Sequence, residues 1–92
     1  MSSKLESLRA AIDQIDEQLI ALLGRRFAIT AEVGRMKASQ AMPPVDVERE
    51  EAQRRKYARL AAGHGVKEDL VQSLFRSVIE QVVLNHRAIR EQ

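Results

Sequence analysis

Apolar residues at the start of the chain fall at Leu5, Leu8, Ile12, Ile15, Leu19, Leu22, Ile29, Val33 and Met36. Apart from one longer step between Leu22 and Ile29, the spacing alternates between three and four. That period marks one face of an α-helix, in the form of a seam that packs along another helix. Ser3-Lys4-Leu5-Glu6 reads as a capping box at the helix start, and no Pro interrupts before Pro43. The pattern predicts a first helix over about residues 4–39, roughly 50 Å long at the usual rise. Gly24 and Gly34 each weaken such a helix by about 1 kcal/mol against Ala, and each would let another backbone approach closely. A helix of this length cannot fold back into a compact globule of so short a chain, so the seam calls for a partner along its length.

Met42-Pro43-Pro44-Val45 is the clearest break in the chain. Asp46 is a good N-cap for a second helix, and Glu48, Glu50 and Glu51 suit its positive end. Glu50/Arg54 and Glu51/Arg55 are i,i+4 pairs in the favoured orientation. This mostly polar helix is expected to reach about residue 62, with Gly63-His64-Gly65 ending it. A third helix is predicted from about residue 67 to the end, on the stripe Leu70, Val71, Leu74, Phe75, Val78, Ile79, Val82 and Ile89. There is no repeat, low-complexity tract or linker. The expectation is one all-α domain over residues 1–92, with a long, a short and a medium helix.

Composition narrows the chemistry. At 92 residues, with no Cys and no Trp, the core is thin, and disulfides, thiolate chemistry and Cys-based zinc sites are excluded. His64 and His86 lack metal-ligand spacing, so oligomerisation is the expected compensation for the small core. No stretch approaches the ~20 apolar residues of a membrane span. Met1-Ser2-Ser3-Lys4-Leu5 turns amphipathic at once, without a signal-peptide core, which makes a cytoplasmic chain the expectation. A formal charge of +2 and only one Tyr and two Phe point away from nucleic acid as a partner. Arg54-Arg55-Lys56 is read as a solvated face, since the acidic run before it cancels its field.

Two polar residues, Arg26 and His86, stand where the periodicity asks for apolar ones. Arg26 occupies the seam position between Leu22 and Ile29. A buried charge there needs an anion, unless an internal carboxylate pairs it or its stem carries the head out to water. His86 interrupts the third stripe four residues after Val82, as a core or edge histidine would, or as a polar residue lining a cavity. Lys37 lies 11 residues beyond Arg26, on nearly the same face and about 16 Å further along. Two such side chains could grip a small dicarboxylate, Arg in bidentate fashion and Lys as a point charge. The plainer role for Lys37 is that of a cation near a helix C-terminus. Glu50, on the first turn of the second helix, could accept a ligand's hydroxyl hydrogen bond or simply pair with Arg54.

Leu8-Arg9-x-x-Ile12-x-x-Ile15-Asp16 resembles the opening of the all-helical chorismate mutases. So do Leu22-Leu23-x-Arg25-Arg26 and Val33-Gly34-x-x-Lys37, and Val45-Asp46-Val47-Glu48-Arg49-Glu50 looks like that family's Asp-x-x-Arg-Glu motif. Val78-Ile79-Glu80 opens the matching stretch of the third helix. The resemblance covers about residues 5–90 and is specific through the order and spacing of its parts. It implies an intertwined homodimer with two active sites and no cofactor, rearranging chorismate to prephenate in aromatic amino-acid biosynthesis. It implies that Arg26 binds the ring carboxylate and that Lys37 contacts the side-chain carboxylate and ether oxygen. Glu50 would accept the ring hydroxyl, with Asp46 helping through its backbone and Arg49 in support. Arg9 would come from the other subunit. At 17 residues from Arg26, it lies about 25 Å along the same helix and cannot share one small ligand with it. An antiparallel second copy could bring the two together.

Two positions depart from the family pattern. Val82 stands where a small hydroxyl residue usually lies near the ring carboxylate, and His86 stands where a Gln usually bonds the ether oxygen. A neutral imidazole still donates one hydrogen bond. Rival readings on the same scaffold are an isochorismate pyruvate-lyase and a mutase of 4-amino-4-deoxychorismate. From another class, a non-catalytic helical dimerisation module would explain the seam but not Arg26, Lys37 and His86.

Overall fold

The computed structural model describes residues 3–40, 42 and 46–92. All its regular elements are helices: α1 over Ser3–Ser39, α2 over Val47–Gly63 and α3 over Glu68–Arg90. The expected long, short and medium order holds, with bounds within two residues of those read from the sequence. Ser3 is already helical, one position before the start that the capping box implied. The expected break at Pro43-Pro44-Val45 lies outside the described residues.

The chain divides into two compact units, Met1–Thr30 and Ala31–Gln92. In the first, the helix carries its apolar seam in the open: Leu8, Ile12, Ile15, Leu19 and Leu22 are 53–56% exposed, and Ile29 is 64% exposed. The less exposed positions there are Leu23, Arg26, Phe27 and Thr30. The Thr30 hydroxyl donates back to the Phe27 carbonyl at 3.1 Å, the local bond that Thr favours inside a helix.

The second unit holds the last turns of α1 together with α2 and α3. Its buried residues are Gly34 of α1, Tyr57 and Ala61 of α2 and Val78 of α3. Tyr57 and Ala61 are four apart and so share one face of α2, an inward stripe that the polar composition of this helix conceals. The Tyr57 ring stacks on Phe75 of α3, with centroids 4.0 Å apart and planes at 13°. Beside it, Gln72 Nε2 donates to the Arg54 carbonyl at 3.0 Å, tying α3 to α2.

On α3 the sheltered positions are Val71, Gln72, Phe75, Val78, Ile79, Val82, Asn85, His86 and Ile89. Leu70 and Leu74, assigned to the same stripe by periodicity, remain 63% and 50% exposed. The apolar stripe of α3 is therefore wider than the face this chain covers.

The connection from α2 to α3 is sharply made. His64 caps α2, and Gly65 follows with φ +67, a left-handed conformation that Gly adopts without penalty. The Val66 N–H then donates to the Ala61 carbonyl at 2.9 Å, and Gly65 N–H reaches Ala62 at 3.5 Å. This is a Schellman arrangement, and it ends α2 at the Gly63-His64-Gly65 run as expected. α3 starts after Lys67 with no side-chain cap, and Glu68 and Asp69 in its first turn complement the helix dipole instead.

Tyr57→Ala should remove the largest buried side chain of the α2–α3 pair and lower unfolding stability by about 3 kcal/mol. Urea unfolding followed by circular dichroism checks this as a lower midpoint at unchanged slope.

Candidate active site

Asp46 sets the position of the loop side of the site. It is the N-cap of α2, in extended conformation, and its carboxylate accepts the Arg49 N–H at 3.1 Å. The bond satisfies one of the open donors of the first turn. It also fixes the direction in which Arg49 and Glu50 leave the helix.

The expected i,i+4 pairs Glu50/Arg54 and Glu51/Arg55 do not form. Arg54 instead binds Glu51 one turn back at i,i+3, a spacing that is equally open on a helix surface. No ion pair to Glu50 occurs among the described residues, so the pairing with Arg54 that would have made Glu50 an ordinary surface residue is absent. Glu50 lies instead at the edge of a cavity of about 610 Å³ between α2 and α3. Tyr57, Phe75, Ile79 and Val83 give this cavity apolar walls, while Arg54, Arg76 and Glu80 join Glu50 at its polar margin. Its size and mixed lining suit a small organic molecule. Among its described lining residues only Glu50 belongs to the set chosen from sequence. Arg76 had a usable signal, since it lies three residues before Ile79 on the flank of the apolar stripe.

The other side of the second unit joins α1 to α3. His86 and Val82, both half-buried and four residues apart, share one face of α3. The imidazole of His86 sits directly on Gly34. A Cβ at position 34 would meet His86 Cδ2 at 2.6 Å, Nε2 at 2.9 Å and Cγ at 3.1 Å. Gly34 thus admits a side chain, not the neighbouring backbone that its small size suggested. Gly24, given the same role by sequence, has nothing within 4 Å of its would-be Cβ. Lys37 follows Gly34 by one turn, half-buried, near the end of the helix. Its carbonyl accepts the Met42 N–H at 3.0 Å, which closes the last turn of α1 beneath it.

The second unit therefore carries Lys37, Asp46, Arg49, Glu50, Val82 and His86, with His86 seated on α1 one turn before Lys37. Glu50 opens on the α2–α3 cavity, and neither Lys37 nor His86 is among the described residues lining it. The first unit carries Arg9, which is exposed, and Arg26, which is half-buried. Arg26 differs in exposure from its seam neighbours Leu22 and Ile29, which are 54% and 64% exposed. It belongs with the sheltered positions Leu23, Phe27 and Thr30, so its side chain is not an intrusion into the open apolar face. Among the described residues no group of three or more His, Asp or Glu is placed to hold a metal ion, and no helix is long and apolar enough to cross a membrane.

Comparison with known proteins places these features in a family context. The family model for chorismate mutase type II matches residues 8–87. The bifunctional chorismate mutase/prephenate dehydratase of Escherichia coli K12 is 33% identical over 88 residues, covering 96% of this chain and 23% of that protein. The T-protein of Enterobacter agglomerans is 33% identical over 81 residues, 88% of this chain and 22% of its own. A chorismate mutase of Methanocaldococcus jannaschii is 28% identical over 92 residues, 100% of this chain and 89% of that protein. The chain thus spans less than a quarter of the length of the bifunctional relatives and most of the archaeal one.

The cap at Asp46 gives a direct test of the loop geometry. Asp46→Ala should lower stability by about 1 kcal/mol, while Asp46→Asn, which keeps an acceptor oxygen, should retain most of it. Thermal unfolding of the two variants side by side provides the measurement.

Proposed function

The chain belongs to the chorismate mutase type II family, and on that premise we propose that it is a cytoplasmic homodimeric enzyme rearranging chorismate to prephenate in aromatic amino-acid biosynthesis. The observation that carries the reading is the family match over residues 8–87, which takes in all eight candidate positions from Arg9 to His86. The exposed seam of α1 supports the dimer. Leu5, Leu8, Ile12, Ile15, Leu19 and Leu22 are 47–56% exposed. Covering each with a second copy is worth about 1 kcal/mol.

The reaction needs no nucleophile, base or metal, because one C–O bond breaks and one C–C bond forms within a single molecule. The protein's task is to hold the folded conformer in a near-attack geometry and to favour the charge of the transition state. Arg26 and Arg9 of the second copy would pin the carboxylates, which otherwise repel, and Lys37 would take the side-chain carboxylate. As the ether bond lengthens, negative charge grows on its oxygen, where Lys37 and His86 would donate. Glu50, left without Arg54, would accept the ring hydroxyl, with the Asp46 cap fixing the backbone before it and Arg49 in support. Val82 would face the ring carboxylate with a methyl group in place of a hydroxyl.

Incubation with chorismate should yield a product of unchanged mass. Release of pyruvate from isochorismate, without isomerisation of chorismate, would identify a lyase on this scaffold. Failure to bind either dicarboxylate would leave a non-catalytic module.

The shared site predicts complementation between subunits. Arg9→Ala and Arg26→Ala homodimers should each lose about 10²–10³ in rate. Refolded together in equal amounts, they should recover about a quarter of the wild-type sites, since half the dimers are mixed and each mixed dimer has one intact site. No recovery in verified mixed dimers would overturn the shared geometry. Independently, His86→Gln should stay active and His86→Leu should lose about 10²-fold in kcat; an active Leu variant would remove His86 from the mechanism.

A further inference from the structure

We infer that Gly34 is a positioning residue for His86: the hydrogen in place of a side chain at 34 forms the seat that holds the imidazole against α1, one turn before Lys37. The inference deepens the proposed reaction and rests on His86 acting there as a donor.

Three observations carry it. Gly34 is the only buried position of α1 among the described residues, although it lies next to Val33, which is 40% exposed. What covers it is the His86 ring, whose Cδ2, Nε2 and Cγ lie 2.6, 2.9 and 3.1 Å from where a Cβ would stand. The second glycine of the same helix, Gly24, has no neighbour within 4 Å of its Cβ position, so close approach is particular to position 34 and not a general effect of glycine in α1.

The physical consequence is narrow. Carbon atoms in contact rest about 3.5–4.0 Å apart, so an Ala at 34 would drive the ring back by about 1 Å. The atoms it meets all belong to one ring carried on two rotatable bonds, so the ring can yield by turning about them without moving either helix. Ala is also the better helix former. The substitution should therefore leave the helices intact and move one imidazole. A displacement of that size at a reacting centre costs on the order of 10² in rate. The loss belongs in kcat with KM little changed, because the donor acts on charge that develops only in the transition state.

A double-mutant cycle on the full-length protein tests the seat. Gly34→Ala should lower kcat about 10²-fold, and should lower it no further when added to His86→Ala, where there is no ring to displace. The imidazole Cε1–H resonances offer a readout apart from activity: Gly34→Ala should shift that of His86 and leave that of His64, at the end of α2, unchanged. An equal loss in both backgrounds, or a His86 resonance that does not move, would overturn the inference. If Gly34→Ala fails to fold, Gly34→Ala/His86→Ala must fold, because it removes the atoms the methyl meets; failure of both would assign Gly34 another role. Full activity of His86→Ala would instead remove the donor reading, and the resonance alone would then decide the seat.

Discussion

Among the described residues, burial is confined to Tyr57, Ala61, Val78 and Gly34, while the seam of α1 stays open from Leu5 to Met36, at 40–64% exposure wherever it is apolar. Ordering a backbone residue costs about 1–2 kcal/mol, and so small a core offsets little of that for a helix of 37 residues. Tertiary packing of an amphipathic face, more than helix propensity, stabilises helices of globular proteins. The uncovered seam is therefore the constraint on which the rest depends. In the proposed dimer one surface satisfies two demands, covering the apolar residues of α1 and delivering Arg9 to a site its own helix cannot serve. Stability then becomes inseparable from protomer concentration.

The charged residues of the proposed site differ from the apolar seam in exposure. Arg26 and Lys37 are half-buried, whereas the apolar seam is exposed. A cation held partly out of water keeps more of its attraction for a carboxylate than one in full solvent, and the Coulomb term is less screened by salt. Glu50 is available for a different reason. A local exchange of partners, Arg54 to Glu51, leaves its carboxylate at the mouth of the α2–α3 cavity, where Tyr57 and Phe75 supply the apolar wall.

The helices were readable in the sequence because their signals are local: seam periodicity, Asp46 as N-cap, and Gly65 as the left-handed residue that ends α2. What escaped was tertiary. Periodicity placed Arg26 in the same stripe as Leu22 and Ile29, yet exposure separates them, because a helix position at the border of two faces satisfies either pattern. Tyr57 and Ala61 escaped because two inward residues in a polar helix make too short a stripe to register. The i,i+4 rule proposed two ion pairs in α2, but at a surface where such pairs are worth a few tenths of a kcal/mol the i,i+3 alternative competes evenly. Of the candidate site, the residue types and their order were legible. The occupant of the space at Gly34 was not, since it arises where α3 meets α1.

Gly34 and His86 form one close contact between α1 and α3. An imidazole is a rigid planar ring that turns only as a unit about its two side-chain bonds. Holding it in this seat against α1 requires that position 34 present no side chain. Glycine in the middle of a helix is unfavourable by about 1 kcal/mol, and it persists where a close approach needs it. The weakening of α1 at 34 and the burial of the ring that rests there are two sides of one contact. The same contact removes rotamer freedom from His86 before any ligand binds, and preorganisation of this kind would make the proposed donor more effective against developing charge.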